Sequence, residues 1–265
     1  MEKKRLLYSF ALLFAFLAQA TQAFSIPSEL LMTNQIENGG QIWVVLVAGS
    51  SGYFNYRHQA DVCHAYQIVS SHGIPDENII VMMYDDIAEN KENPKKGMLF
   101  NKPLPKGQDV YHGVPKDYTG KEVSNQTFVD VLHGKKLNFG SGKTLKSGPR
   151  DHVFVFFSDH GAKGLVAFPE TILHATSFVD ALKTMHSNNQ FAKMTIYIEA
   201  CESGSMFKGL LPENINIYAT TASNATTSSY ACYYDDTLKT FLGDVYSVKW
   251  MEGSRASIIP RAHYS

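Results

Sequence analysis

Apolar and polar positions along this chain fall into blocks that read in turn as strands and helices. Ile42 to Ala48 is an unbroken apolar run closed by the cluster Gly49-Ser50-Ser51-Gly52, the pattern of a strand covered on both faces. Val62, Ala65, Tyr66 and Val69 then recur at helical spacing, and Gly73 before Pro75 supplies the stop. Ile79 to Met83 follows as a second apolar strand and completes a strand, helix, strand unit. Asp85 to Ser124 carries Pro94, Pro103, Pro105 and Pro115 among Gly and Lys residues, which predicts a long surface excursion rather than a core element. Ser124 reads as the N-cap of a short helix whose stripe is Phe128, Val131 and Leu132 and which Gly134 closes.

Two further runs share one shape. His152 to Ser158 is rich in Val and Phe and ends at Asp159-His160-Gly161; Thr195 to Ser205 begins Thr-Ile-Tyr-Ile and breaks off at Glu-Ala-Cys-Glu-Ser-Gly-Ser. Between them, Ser177 with Asp180 three residues on reads as a helix start, and Phe178, Ala181, Leu182 and Met185 as its buried stripe. Ile215 to Thr220 is a fifth strand, and Thr221 to Asp236 reads as a Ser, Thr and Tyr rich loop carrying Cys232. Strands alternating with helices at this spacing predict an α/β fold, a doubly wound parallel sheet with helices on both faces.

Composition narrows the function classes. With 265 residues, 44% hydrophobic, 18% charged and a net charge of -1, the chain has the make-up of one globular domain, and no basic excess points to nucleic acid. Lys3, Lys4 and Arg5 precede an apolar run from Leu6 to Ala18, followed by the small-residue sites Ala18-Gln19-Ala20 and Thr21-Gln22-Ala23, which predicts a secretory signal peptide over residues 1–23. No later apolar stretch reaches about 18 residues, so the expectation is a protein of the secretory or endolysosomal pathway without stable membrane insertion. Three cysteines, Cys63, Cys201 and Cys232, leave at least one thiol free. The sequons Asn125-Gln126-Thr127 and Asn224-Ala225-Thr226 fit the same compartment.

The candidate chemistry sits where the two similar runs stop. Ligands of open parallel sheets bind beyond the carboxyl ends of the strands, and neighbouring strands lie roughly 4.8 Å apart, so paired runs would bring the Cys201 thiol and the His160 imidazole together. A lone cysteine is more often core than catalytic, but Glu199, Glu202, Ser203, Gly204 and Ser205 are poor core neighbours, and a Gly and Ser turn can offer N–H groups to a thiolate. Gly161 lacks a side chain that would keep its N–H from a substrate carbonyl. His58 and His64 lack the spacing of a metal pair, no His-Glu-x-x-His pattern occurs, and no metal site or other cofactor is expected.

These residues carry a dense resemblance to the legumain family of asparaginyl endopeptidases, in the clan that shares the caspase-like fold. It runs from about Trp43 to Glu252 and includes Val-Ala-Gly-Ser-Ser-Gly-Tyr-Phe-Asn-Tyr-Arg-His at 47–58, Met-Tyr-Asp-Asp at 83–86, Asp-His-Gly at 159–161, Glu-Ala-Cys-Glu-Ser-Gly-Ser at 199–205 and Ser-Ser-Tyr-Ala-Cys-Tyr-Tyr-Asp at 228–235. The resemblance implies Cys201 as nucleophile, His160 as base, Asn55 as the residue that orients the imidazole, and the Gly161 and Cys201 N–H groups as oxyanion hole. It also implies an asparagine-reading S1 pocket lined by Arg57, His58, Glu199, Ser228, Ser229 and Asp244, although Arg57 and Asp244 alone would read as a surface ion pair. The implied fold is a three-layer α/β/α caspase-like sandwich with a mostly parallel sheet, in family order 2-1-3-4-5-6 with the last strand antiparallel. Here the expectation is order 2-1-3-4-5 without the sixth strand, a peptidase domain over 24–252 and a divergent tail over 253–265.

The function expected is thus a cysteine endopeptidase acting on proteins and peptides after Asn, and after Asp in acid, in the secretory pathway, a lysosome or vacuole, or outside the cell. Oligomeric state is not legible. Two alternatives stand beside it: acyl transfer to an amine at the same site, as in peptide ligation or transamidation, and an inactive truncated fragment that only binds a partner.

Overall fold

The computed structural model describes residues 39–256, so the expected signal peptide over 1–23 and residues 257–265 of the expected tail lie outside the described residues. In chain order the strands are β1 (Ile42–Ala48), β2 (Ile79–Met82), β3 (His152–Ser158), β4 (Gly161–Ala162), β5 (Leu165–Ala167), β6 (Ile172–His174), β7 (Lys193–Glu199), β8 (Ile217–Thr221), β9 (Ala231–Asp235) and β10 (Thr240–Asp244). The helices are α1 (Tyr56–Ser71), α2 (Asn125–Leu132), α3 (Ala175–Ser187) and α4 (Val245–Ala256). The main sheet runs β2-β1-β3-β7-β8, every neighbouring pair parallel, which is the expected 2-1-3-4-5 order counted among its own strands.

Side chains alternate across the strands, and the sheet is therefore covered twice. Ile42, Val44, Leu46 and Ala48 of β1 join the apolar cluster that includes α1 and α4, whereas Trp43, Val45 and Val47 join the one that includes α2 and α3. This is the three-layer α/β/α sandwich of the caspase-like fold. Trp250 of α4 is fully buried, its ring edge-on to Phe156 and Phe154 of β3 at 5.1 and 5.9 Å. Truncating a tryptophan in such a place typically costs about 3–5 kcal/mol, so α4 is fixed to the sheet and carries with it whatever it offers the strand ends. Among the described residues no helix is long and apolar enough to cross a membrane.

Two expectations need correction. The start of α3 is not at Ser177: the helix begins at Ala175 with His174 as an N-cap that makes no side-chain cap bond, so Ser177 is already helical. The stretch read as a loop around Cys232 contains β9, paired antiparallel with β10. The segment after His160 forms the small antiparallel sheet β4-β5-β6. Ser124, in contrast, caps α2 as expected, its hydroxyl accepting from the Thr127 N–H at 3.1 Å.

Candidate active site

The register of β3 against β7 places the two central residues. Ser158 pairs with Glu199, the Asp159 N–H donates to the Glu199 carbonyl at 3.0 Å, and two steps beyond each paired residue stand His160 and Cys201. Both chains then turn away sharply. Glu202 takes a left-handed φ of 52°, held by its N–H on the Thr227 carbonyl at 2.8 Å and by its own carbonyl, which accepts from the Ser205 hydroxyl at 2.6 Å and the Ser205 N–H at 2.9 Å. Non-glycine residues keep such a conformation only where their surroundings determine it, and here the turn leaves Cys201 partly exposed at the strand end.

Gly161 is required by proximity. A Cβ there would fall 2.5 Å from the Cys201 carbonyl oxygen and 3.0 Å from the Ala200 Cβ, so the histidine and cysteine turns touch through a residue that cannot carry a side chain. Ser205 ties the same two turns together from below: its hydroxyl accepts from the Gly164 N–H at 2.8 Å.

His160 is exposed, and its Nε2 donates to the Asn55 Oδ1 at 2.8 Å. The Asn55 amide is oriented in turn by its Nδ2, which donates to the Ser51 carbonyl at 2.9 Å. An amide oxygen only accepts, so this bond puts the neutral imidazole proton on Nε2 and leaves Nδ1 with a lone pair. Asn55 lies on a short 3-10 turn at the mouth of α1, which is why a residue 105 positions upstream can reach His160. Ser229 approaches Cys201 from the β8–β9 loop, its Oγ 3.7 Å from the Cys201 Sγ, while Ser228 beside it is exposed.

Behind these groups lies a buried set of charges. Arg57 Nε donates to Asp244 Oδ1 at 3.0 Å and Nη1 to the Phe54 carbonyl at 3.4 Å. The two side chains are 12% and 4% exposed, so this is no solvated surface pair. Glu199 Oε2 accepts from both the N–H and the hydroxyl of Ser247, each at 3.0 Å, whereas Glu199 Oε1 and Asp244 Oδ2 are buried without a hydrogen-bond partner among the described residues. Burial pushes the Glu199 carboxyl up to about 8, with repulsion from Asp244 adding and the Ser247 and Ser229 hydrogen bonds opposing. His58 sits under this set rather than on its surface. Its Nδ1 is 2.7 Å from the Ser50 hydroxyl and 3.2 Å from Asp159 Oδ1, its Nε2 is 3.8 Å from Asp244 Oδ2, and its ring meets His160 edge-on at 5.0 Å. Burial brings His58 down to about 3 despite the pull of Asp244, with Arg57 and His160 pushing the same way as burial, so the imidazole is neutral.

Several members of the site are absent from the candidates that the sequence suggests. Asp61, fully buried on α1, accepts from Asn101 Nδ2 at 2.7 Å, from the Ser158 hydroxyl at 3.2 Å and from the Asp244 N–H at 3.4 Å. Burial and Asp244 raise its carboxyl well above the usual range. Asp159 is 4% exposed, and burial lifts it to about 7 against the pull of His160 and Arg57. The Ser203 and Ser223 hydroxyls bind each other, and the Ser223 hydroxyl also donates to the Ala200 carbonyl beneath the Cys201 turn. A carboxylate within the apolar stripe of α1, four residues after Arg57, was the available signal for Asp61.

Cys63 is buried with its thiol toward Met83 Sδ at 3.8 Å, and burial raises it; Cys232 is raised to about 12 by burial and then by Asp61, Asp244 and Glu199. Ligand atoms of His58, Asp159 and His160 lie within 4.8 Å of one another, close enough to be a metal grouping, but His58 Nδ1 already faces Ser50 and His160 Nε2 faces Asn55.

Comparison with known proteins matches residues 42–261 to the model of the Peptidase C13 family. The chain is 58% identical over 221 residues to the legumain of Rattus norvegicus and 57% identical over 221 residues to that of Homo sapiens, in both cases covering 82% of this chain and 50% of the relative. It is 54% identical over 226 residues to the vacuolar-processing enzyme beta-isozyme 1 of Oryza sativa subsp. japonica, covering 82% of this chain and 45% of the relative. The chain thus spans about half the length of the curated relatives it matches.

Proposed function

Because the chain belongs to the Peptidase C13 family, we propose that it is a cysteine endopeptidase that cuts peptide bonds after Asn, and after Asp in acid, through a thioester on Cys201. The observation that carries this reading is the register that sets His160 and Cys201 at matching steps beyond β3 and β7, with Asn55 holding the imidazole proton on Nε2. Nδ1 then accepts the Cys201 thiol proton, and the thiolate sulfur attacks the scissile carbonyl carbon. The carbonyl oxygen develops negative charge, which the N–H groups of Gly161 and Cys201 stabilise. As the C–N bond breaks, imidazolium returns its proton to the leaving amine. Water, deprotonated by the same Nδ1, attacks the thioester carbonyl, releases the carboxylic acid and restores the thiol.

Specificity is assigned to the buried charges. An asparagine amide carries one acceptor oxygen and two N–H donors, and the matching partners are the Arg57 guanidinium on one side and the unpartnered oxygens Glu199 Oε1 and Asp244 Oδ2 on the other. Ser228 and Ser229 complete the wall beside Cys201, and His58 supports Asp244 from below. An aliphatic side chain would leave these polar groups unpaired, a mismatch that typically separates substrates by about 10⁴-fold or more. Cleavage of proteins and peptides within an acidic lysosome or vacuole fits the expected signal peptide, and the name vacuolar-processing enzyme fits a vacuole.

The test is product analysis by mass spectrometry of a mixed peptide set incubated with the chain at about pH 5.5, with and without an added amine. The expected result is cuts mainly after Asn, with a smaller share after Asp and none after other residues, and with free acids as the main product. Cuts after basic or aliphatic residues would overturn the specificity, and amides as the main product would make the site a transferase.

A further inference from the structure

We infer that Asn224 carries an N-linked glycan whose root is fixed beside the nucleophile turn, where it screens Cys201 from bulky partners while leaving it open to small ones. This rests on the secretory location proposed above and on the Cys201 thiol being reachable from solvent, but not on the chain being a peptidase.

The sequon is Asn224-Ala225-Thr226, and the residues on either side of it, Ser223 and Thr227, are bonded to the turn after Cys201. The Gly204 N–H donates to the Ser223 carbonyl at 3.0 Å and the Glu202 N–H to the Thr227 carbonyl at 2.8 Å, so the tripeptide is tied at both ends to the residues that follow Cys201. Packing is equally close. A Cβ on Gly204 would lie 2.8 Å from the Asn224 carbonyl carbon and 3.0 Å from the Ala225 nitrogen. The attachment point is consequently part of the rigid turn and not a free loop tip.

The side chains are arranged for the modification. Asn224 Oδ1 accepts from the Thr226 N–H at 2.8 Å and from the Thr226 hydroxyl at 3.1 Å, while no hydrogen bond among the described residues engages Asn224 Nδ2, the atom that would carry the sugar. Both Asn224 and Thr226 are exposed. The sequon at Asn125 differs: Thr127 is 6% exposed and its hydroxyl is engaged with the Ser124 cap at 3.0 Å. A glycan at Asn224 meets no such packing and extends into solvent.

Its position gives it a consequence. Ala225 lines a cavity of about 400 Å³ together with Lys163, Gly164, His174, Ser205 and Lys208, residues that include both the segment after His160 and the turn after Cys201 and none of the buried set around Arg57 and Asp244. A bulky group rooted at the rim of that cavity limits which macromolecules can approach the thiol from that side, whereas a small reagent or an extended peptide passes beneath it.

The chain secreted from a eukaryotic host, before and after peptide N-glycosidase treatment, is compared with Asn224→Gln and Thr226→Val. Peptide mapping reads occupancy at Asn224 as the Asn to Asp mass change after deglycosylation. Labelling of Cys201 is then timed with iodoacetamide and with a maleimide carried on a folded protein. The expected result is an occupied Asn224 and a ratio of large-reagent to small-reagent rates that rises about threefold or more in both variants and in the enzymatically deglycosylated wild type, where the aspartate that the glycosidase leaves at position 224 keeps an acceptor for Thr226. An unmodified Asn224, or a ratio unchanged on deglycosylation, would overturn the inference. Peptide turnover, measured separately, reports on the peptidase reading alone.

Discussion

The Asp61 carboxylate receives the backbone N–H of Asp244, 183 positions later in the chain, at 3.4 Å, and in the same place gathers Asn101 and Ser158. One buried acid thus joins α1, the long excursion, the end of β3 and the end of β10. Asp61→Asn keeps an acceptor oxygen and resembles the protonated acid that burial favours, so it is expected to fold and to retain asparaginyl cleavage. Asp61→Ala leaves several buried donors unpaired at about 1–3 kcal/mol each and should lower the melting temperature by many degrees. Thermal melts of the two variants check this, and equal losses in both would contradict it.

Stability should fall as pH rises past neutrality. Burial lifts Glu199 to about 8 and Asp159 to about 7, and raises Asp61, so the folded state keeps protons that the unfolded chain has released. Their stabilisation is complete below the unfolded carboxyl range of about 4 and is lost through the folded values. His58, lowered to about 3, has the opposite sign: its contribution is present above about 6.5 and is lost as pH falls. Between about 6.5 and 8 only the carboxyl slope remains. Tm measured across that window should drop, and a flat or rising Tm would contradict the assignment.

The bond from His160 to Asn55 makes a separate prediction. Asn55→Ala frees the imidazole to rotate and to place its proton on either nitrogen, which should lower kcat by roughly 10²-fold with a smaller effect on KM. Asn55→Asp keeps an acceptor and adds a charge that favours imidazolium, so its pH–rate profile should shift to higher pH. If both variants lost activity equally with unshifted profiles, Asn55 would be structural only.

Much of this architecture was legible. The alternation that divides β1 between two faces, the Gly stops after α1 and α2, and the paired runs ending in His160 and Cys201 are all local patterns, and local patterns survive in sequence. What escaped is either too short to show a period or non-local. The strands β4 to β6 hold two or three residues each, and β9 reads as a loop because all its residues but the exposed Tyr234 are half-buried, which leaves no alternation. Asp61 escaped because its partners stand 40, 97 and 183 positions away. The His58 role came from resemblance, but its place beneath Asp244 and against Asp159 could only come from the packing of α1 on the strand ends.

The proposed pocket predicts how substrate choice moves with pH. A substrate Asp brings a second carboxylate toward Asp244 at neutral pH, but protonated it offers a neutral donor and acceptor as asparagine does. The ratio of Asp to Asn cleavage should therefore rise steadily from about pH 7 to about pH 4, and Asp244→Asn should raise that ratio at neutral pH by about tenfold or more. Paired peptides differing only at this residue measure it, and a ratio independent of pH would remove the charged pocket from the account.

The central claim, that Cys201 is the attacking sulfur, is tested most directly by kcat/KM of the three single cysteine-to-serine variants on one asparaginyl peptide. Cys201→Ser should lose roughly 10³-fold or more, because nucleophile and base act as a unit. Cys63→Ser and Cys232→Ser, whose native thiols burial holds in the protonated form, should keep most of the wild-type value. Substantial turnover in Cys201→Ser, or a loss in Cys63→Ser as large as that in Cys201→Ser, would contradict the account.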